Sequence, residues 1–291
     1  MEQETSTRLN VLKTYKMYIG GKFPRTESGR YIKYAPEDGS PVANVCQGSR
    51  KDFRDAVVVA RNAQPGWAGA SDYLHSQILY RIAEILEGRR NQFIEELQLQ
   101  TVPENEAAEE VDAAIDQLLY FAGWCDKYQQ IFSSVNPVNS SHFNFSVCEP
   151  VGVVGVFAPQ DSGLLGLVTS IAPVIAGGNT CVVLVSEKYP LSAITFSEVL
   201  NSSDVPGGVV NMLTGYREEL LDHFASHMDV NSVVYFGTNT DHIKTIQEKA
   251  AENMKRVIIR KETNYLSETY KSPYPIIDTV ETKTTWHPVG L

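Results

Sequence analysis

The amino-acid sequence predicts an α/β fold: a doubly wound, five-stranded parallel sheet with flanking helices, beside a small antiparallel bridging sheet. Three observations carry that expectation. From Val151 to Arg260 the chain alternates strand-like and helix-like segments, the pattern of successive βαβ units. The strand-like segments are continuous apolar runs, as strands buried on both faces of a parallel sheet are. Phe143, Phe145 and Val147, by contrast, alternate with Asn144, Ser146 and Cys148, a period of two that marks a half-exposed strand.

The elements follow in order. Residues 1–15 are polar and hold no signal-peptide apolar core. Residues 17–48 carry turn signals (Gly20, Gly21, Pro36 to Gly39, Pro41) between short β-type runs, and read as hairpin structure at the domain edge. Residues 52–63 have helical periodicity. Ser71 is placed to cap the next helix, in which Leu74, Ile78, Ile82 and Ile85 or Leu86 share a face, and Gly88 falls where that helix should stop. Residues 91–100 form another helix. Pro103 opens a long one with an apolar stripe of Val111, Ile115, Leu118, Leu119, Ala122 and Cys125. Parallel strands are then expected at 151–158, 180–185, 209–213, 232–236 and 256–260, separated by helices at 163–176, 191–200, 217–225 and 240–252. The tail, 276–286, is strand-like again.

Composition narrows the function. The 291 residues suit one large domain or two small ones. A net charge of −10 argues against binding nucleic acid or an anionic membrane through bulk electrostatics. The longest apolar stretch, residues 164–178, contains Thr169, Ser170 and Pro173 and falls short of the roughly 20 residues a bilayer requires, so it reads as a buried helix. Cys46, Cys125, Cys148 and Cys181 match neither a zinc pattern nor CxxC, and suggest no disulfide framework; a reducing, cytoplasmic setting is the expectation. His223 and His227 lie four apart on a helix but lack the HExxH carboxylate, so no metal site is expected. No GxGxxG follows the first parallel strand, because Gly152 and Gly155 lie inside it.

Several segments in series are specific enough to carry a resemblance. "EPVGVVGVFAP" (149–159), "IAPVIAGGNTCVVL" (171–184), "YPLSA" (189–193), "VPGGVVNMLTG" (205–215) and "KRVII" (255–259) resemble the coenzyme-binding domain of the aldehyde dehydrogenase superfamily. "YFAGWCDK" (120–127), "MYIGGKF" (17–23) and "TVETKTTW" (279–286) resemble its long N-terminal helix, opening hairpin and final strand. The resemblance implies an NAD-binding-like domain at 1–136 and 151–265, with bridging or oligomerisation strands at 137–150 and 270–291. In the family, the catalytic domain and its nucleophilic cysteine lie between the coenzyme half and the final strand. Here the tail follows the coenzyme half almost at once, which implies that the catalytic domain is absent. The chain is similar to the cysteine-less second module of two-module aldehyde dehydrogenases.

The family reaction requires a cysteine thiolate, oxyanion donors and a general-base glutamate, with NAD taking the hydride. The family's Pro-Trp-Asn-Phe-Pro segment corresponds to residues 159–163, which places Asp161 where its asparagine donates. A carboxylate only accepts, and losing one oxyanion donor costs about 2.7–4 kcal/mol. The general-base position holds Arg260; Glu262 lies two residues on, displaced by about 7 Å if the strand continues. The lysine that contacts the adenosine ribose corresponds to Leu184, whereas Glu187 matches the neighbouring ribose glutamate, and Gly237 and Thr238 match the phosphate-proximal Gly-Ser. Glu187, Gly237 and Thr238 are thus the candidate cofactor-binding residues, with no catalytic residue, no required cofactor and weak NAD or NADP binding.

The resemblance further implies an open flank where the catalytic domain would sit, and bridging strands left to pair elsewhere. The expected partner is a full-length aldehyde dehydrogenase, or a second copy of this chain. The expected function is a catalytically inactive structural or regulatory subunit. The alternative is an NAD(P)-binding subunit of a split aldehyde dehydrogenase whose catalytic cysteine is on another chain.

Overall fold

A computed structural model describes residues 11–36, 39–261 and 264–290. Near the N-terminus, β1 (Lys13–Tyr15), β2 (Tyr31–Tyr34) and β3 (Ala43–Cys46) form a small sheet in the order β1-β3-β2. Gly20 and Gly21, at φ +63° and +74°, make the tight reversal that pairs Ile19 with Lys22, and Tyr18 pairs with Met212 at the border of the main sheet. Glu37 and Asp38, in the turn read from the sequence, lie outside the described residues.

Five helices follow: α1 (Arg50–Ala68), α2 (Asp72–Gly88), α3 (Arg90–Leu99), α4 (Glu104–Ala122) and α5 (Tyr128–Phe132). Helix α1 starts two residues before its apolar period because Ser49 and Asp52 form a capping box, each side chain accepting from the other's backbone N–H. Ser71 caps α2 by accepting from Leu74 N at 3.2 Å. Leu74 itself is 42% exposed. His75 takes the inward position, its Nε2 2.9 Å from Trp67 O and its ring against the Trp67 ring. The α4 stripe is buried except at Leu119, where Phe121 turns inward instead.

The main sheet holds β6 (Val153–Phe157), β7 (Thr180–Leu184), β8 (Val210–Leu213), β9 (Ser232–Phe236) and β10 (Arg256–Arg260), all parallel, in the order β10-β9-β6-β7-β8. The crossovers carry α6 (Leu165–Ala176), α7 (Pro190–Ser202), α8 (Arg217–Ser226) and α9 (Thr240–Ala250). Every residue of β6, β7, β8 and β9 is buried, which is why these strands read as apolar runs, with Thr180, Asn211 and Ser232 as buried polar members. Residues of α1, α8 and α9 build the core on one face; α2, α4, α6 and α7 build it on the other. The chain steps outward from β6 to β7 and β8, then returns to β9 on the opposite side, so strand order reverses between β6 and β9.

The third sheet is antiparallel: β4 (Ser134–Asn136), β5 (His142–Pro150) and β11 (Val280–Pro288), in the order β11-β5-β4. Its period of two is present, but the polar set faces inward. Asn144, Ser146 and Cys148 are buried, while Phe143 is exposed. A side-chain ladder meets part of this set: Asn136 Nδ2 donates to Asn144 Oδ1 at 2.7 Å and to Ser146 Oγ at 2.8 Å, and Ser146 Oγ lies 2.8 Å from Thr284 Oγ1, while Asn144 Nδ2 is left without a partner among the described residues.

Two expectations are corrected after β10. The tail opens as a short helix, α10 (Tyr274–Ile277), with Pro275 in its first turn, and becomes strand only at Val280. The flank of the sheet is not left open along its whole length. Tyr265, Tyr270 and Ile276 are buried in the principal core, and Gln117 Nε2 donates to Tyr270 O at 2.8 Å. Residues 264–279 thus lay aromatic and aliphatic surface against α4, α6 and the end of β9.

Candidate functional site

A doubly wound sheet binds its ligand outside the carboxyl ends of the strands, where strand order reverses. In this chain that place is bounded by residues following β6, β7 and β9, and it holds all three candidate residues. Glu187, exposed, follows β7; its N–H donates to Gln160 Oε1 at 2.9 Å and its own Oε1 accepts from Arg217 N at 2.8 Å. Gly237 follows β9 at φ +154°, and a Cβ there would lie 3.0 Å from the Tyr235 ring, so the ring folded back over this turn requires glycine. Its N–H donates to Arg260 O at 2.9 Å. Thr238 is exposed. The next residue, Asn239, caps α9, its Oδ1 accepting from Asp241 N at 3.0 Å and His242 N at 3.1 Å. Two of the helix N-terminal donors that would meet a phosphate are therefore already in use.

Arg217 organises this place, and the sequence reading did not single it out. It is 7% exposed; Nη1 donates to Phe236 O at 3.0 Å and Nη2 donates to Ala158 O, so one guanidinium spans the ends of β9 and β6. Its carbon lies 5.2 Å from the centre of the Tyr235 ring. Tyr235 Oη is 2.9 Å from His242 Nδ1, and His242 Nε2 is 2.7 Å from Glu218 Oε1. Burial lowers the pKa of the guanidinium. Its position was the available signal. An arginine as first residue of a helix opposes the helix dipole, which needs a specific tertiary reason.

Glu110 was missed as well. From α4, its Oε1 accepts from Ser162 Oγ at 2.6 Å, Leu164 N at 2.7 Å and Leu165 N at 3.1 Å, capping α6 with a carboxylate. Asp161 is exposed and accepts from Tyr265 Oη at 3.2 Å; burial raises the pKa of that hydroxyl, and the Asp161 charge adds to it. Leu184 is fully buried inside β7. The Arg260 guanidinium pairs with Asp278, and Arg256 Nη1 donates to Asp278 O at 3.0 Å and to Val280 O. Both arginines thus anchor the segment that returns to β11. Glu262 lies outside the described residues.

The remaining chemistry is muted. All four cysteines are buried. Desolvation pushes the Cys125 thiol up to about 12, and raises Cys181 and Cys148 too, so these three are not poised as thiolates. His227 Nδ1 accepts from Asp229 N at 3.2 Å and its ring meets Phe53 edge-on. Among the described residues no three His, Cys, Asp or Glu side chains converge as metal ligands, and no helix is long and apolar enough to cross a membrane. The dinucleotide that the resemblance implies does not fit these residues as a tightly held group. A guanidinium occupies the reversal point, a cap occupies the α9 donors, and Leu184 offers no polar atom to a ribose.

Comparison with known proteins agrees with the fold. The chain is 32% identical over 254 residues to DhaS of Bacillus subtilis (strain 168), covering 84% of this chain and 50% of that protein. It is 30% identical over 259 residues to the cytosolic 10-formyltetrahydrofolate dehydrogenase of Mus musculus, covering 86% of this chain and 28% of that one. The NAD+ complex of an aldehyde dehydrogenase from Bacillus cereus superposes with a TM-score of 0.80 at 28% identity, over 85% of this chain and 50% of that chain. The chain thus spans half or less of the length of these relatives. The pattern of the aldehyde dehydrogenase family matches residues 23–263, and the chain belongs to that family.

Proposed function

We propose that this chain is a catalytically inactive member of its family, a cytoplasmic structural or regulatory subunit that assembles with a full-length aldehyde dehydrogenase. One observation carries the reading. Only nineteen residues, 261–279, separate Arg260 from β11, too few for a substrate domain, and of these Tyr265, Tyr270 and Ile276 are buried in the principal core. The burial of all four thiols, with Cys125 and Cys181 held protonated by desolvation, supports it, since acyl transfer to sulfur needs an accessible thiolate. Assembly through the bridging sheet is supported by the outward Phe143 and Val135 and by β11, whose residues from Thr282 onward are exposed and whose second edge has no strand beside it among the described residues. No coenzyme is required, and Glu187, Gly237 and Thr238 leave room for weak NAD or NADP binding only.

The alternative, a split dehydrogenase that borrows its cysteine from another chain, would need this chain to supply an oxyanion donor and a base. Asp161 and Arg260 stand at those positions, and Arg260 is committed to Asp278. Co-expression with a full-length homologue tests the proposal. A mixed complex on size-exclusion chromatography with light scattering is expected, and two separate homogeneous peaks would count against it. Purified alone, the chain should form no NADH from propanal or benzaldehyde.

A further inference from the structure

We infer that Arg217 is the built-in occupant of the crevice: its guanidinium stands where a doubly wound sheet holds its dinucleotide, and it closes this chain to NAD and NADP. The inference rests on the reading that the site needs no coenzyme, and it names the residue responsible. Crevices at a reversal point receive ligands because the strand ends there present backbone groups to an open space. Here the carbonyls of Ala158 and Phe236, the groups that end β6 and β9, accept from a single side chain.

Arg217 is not a receptor waiting for a phosphate. Each Nη atom donates to a carbonyl, and Nε, which has no partner among the described residues, is itself buried, so no accessible fork is presented for bidentate phosphate binding. The nearby carboxylates disfavour an anion too: Glu187 holds the Arg217 N–H, and Glu218 is hydrogen-bonded to His242. The Tyr235 ring covers the guanidinium and is itself tied through its hydroxyl to His242, so the cation is braced from the α9 side. Among the described residues this buried guanidinium has no carboxylate ion pair of its own, which is costly. It persists because the strand ends supply two acceptors and the aromatic ring supplies a third contact. Opening the crevice would strand those acceptors, so a ligand must displace the arginine before gaining anything from the sheet.

Replacing the side chain tests this directly. The full chain and its Arg217→Gly and Arg217→Met variants are titrated with NAD and with NADP by calorimetry, with far-UV circular dichroism as the check on folding. The wild type should show no saturable binding tighter than about 1 mM, and Arg217→Gly should gain at least about tenfold. Arg217→Met, which keeps bulk without donors, should stay closed. Wild-type binding as tight as that of Arg217→Gly overturns the inference, and so does a folded Arg217→Gly that binds no better than wild type. Should Arg217→Gly fail to fold, the wild-type titration decides: one nucleotide per chain held tighter than about 1 mM overturns the inference, and its absence supports it. Assembly with a full-length dehydrogenase is read on a separate column, so the two readings fail independently.

Discussion

Cys125 and Cys181 show how burial quiets a thiol, Asp72 and Asp126 adding to it at Cys125. Both thiols sit in the principal core, and desolvation holds them protonated far above neutral pH. Ellman's reagent should therefore find no fast-reacting thiol in the native chain and all four after denaturation; a single rapid thiol would contradict the proposed inactivity. Lys255 illustrates the opposite charge. It is 7% exposed, donates from Nζ to His227 O at 2.7 Å, and burial lowers its pKa from 10.5 to about 8. Below pH 8 both folded and unfolded chains hold the proton, and the full burial penalty stands. Between pH 8 and about 10.5 the unfolded chain binds more protons, so this residue's contribution to stability rises with pH. Denaturant midpoints across that window, compared between wild type and Lys255→Met, should show the rise in the wild type only; a constant difference would exclude it. Single residues were the least legible scale. Leu184, Asp161 and Arg260 drew an expectation from the sequence because a family-like motif surrounds each. Arg217 drew none, because its meaning depends on carbonyls 59 and 19 positions away in sequence.

Elements were legible wherever burial imposes a period. β9 and β10 have the bounds the sequence predicted: β9 is buried throughout, whereas β10, at the sheet edge, is a half-buried apolar run bounded by Arg256 and Arg260. Helix ends depended on caps that composition only partly signals. Ser71 announces itself, whereas the cap of α6 comes from Glu110 on another helix, and no local pattern reveals it. Three donors converge on one carboxylate oxygen at the end of a fully buried helix, so removing it leaves backbone N–H groups unsatisfied. Glu110→Ala should cost about 1.5–3 kcal/mol in urea unfolding, and Glu110→Gln, which keeps an acceptor, should cost less. Equal losses would mean that charge, not hydrogen bonding, is what α6 needs. β5 carries a different lesson. Its alternation was plain in the sequence, but the buried face is the polar one, because Asn136 and Thr284 reach across from β4 and β11 to bond it. A period fixes which residues share a face and leaves open which face the rest of the molecule covers.

At the scale of the molecule, the ion pair of Arg260 with Asp278 and the reach of Arg256 to Val280 bind the bridging sheet to the edge of the parallel sheet. The bridging sheet is thereby held beside the domain while its apolar face points away from it. Val135 is 68% exposed and Phe143 46%, and Phe143 packs its ring 5.5 Å from that of Phe145. Val135 and Phe145 are direct cross-strand partners, so these side chains share one face of the sheet. Exposed aromatic clusters on a sheet that ends in open strands favour association over solvation. If that face carries the proposed assembly, the double variant Val135→Ser/Phe143→Ser should weaken the mixed complex by roughly tenfold or more, the loss expected when interface anchors worth about 1–2 kcal/mol are truncated. Its own unfolding midpoint should barely move, because substitutions at exposed positions usually stay within about 0.5 kcal/mol. Analytical ultracentrifugation with a full-length homologue separates the cases. An unchanged mixed complex would move the interface elsewhere. A complex lost together with the fold would return Val135 and Phe143 to an ordinary structural role.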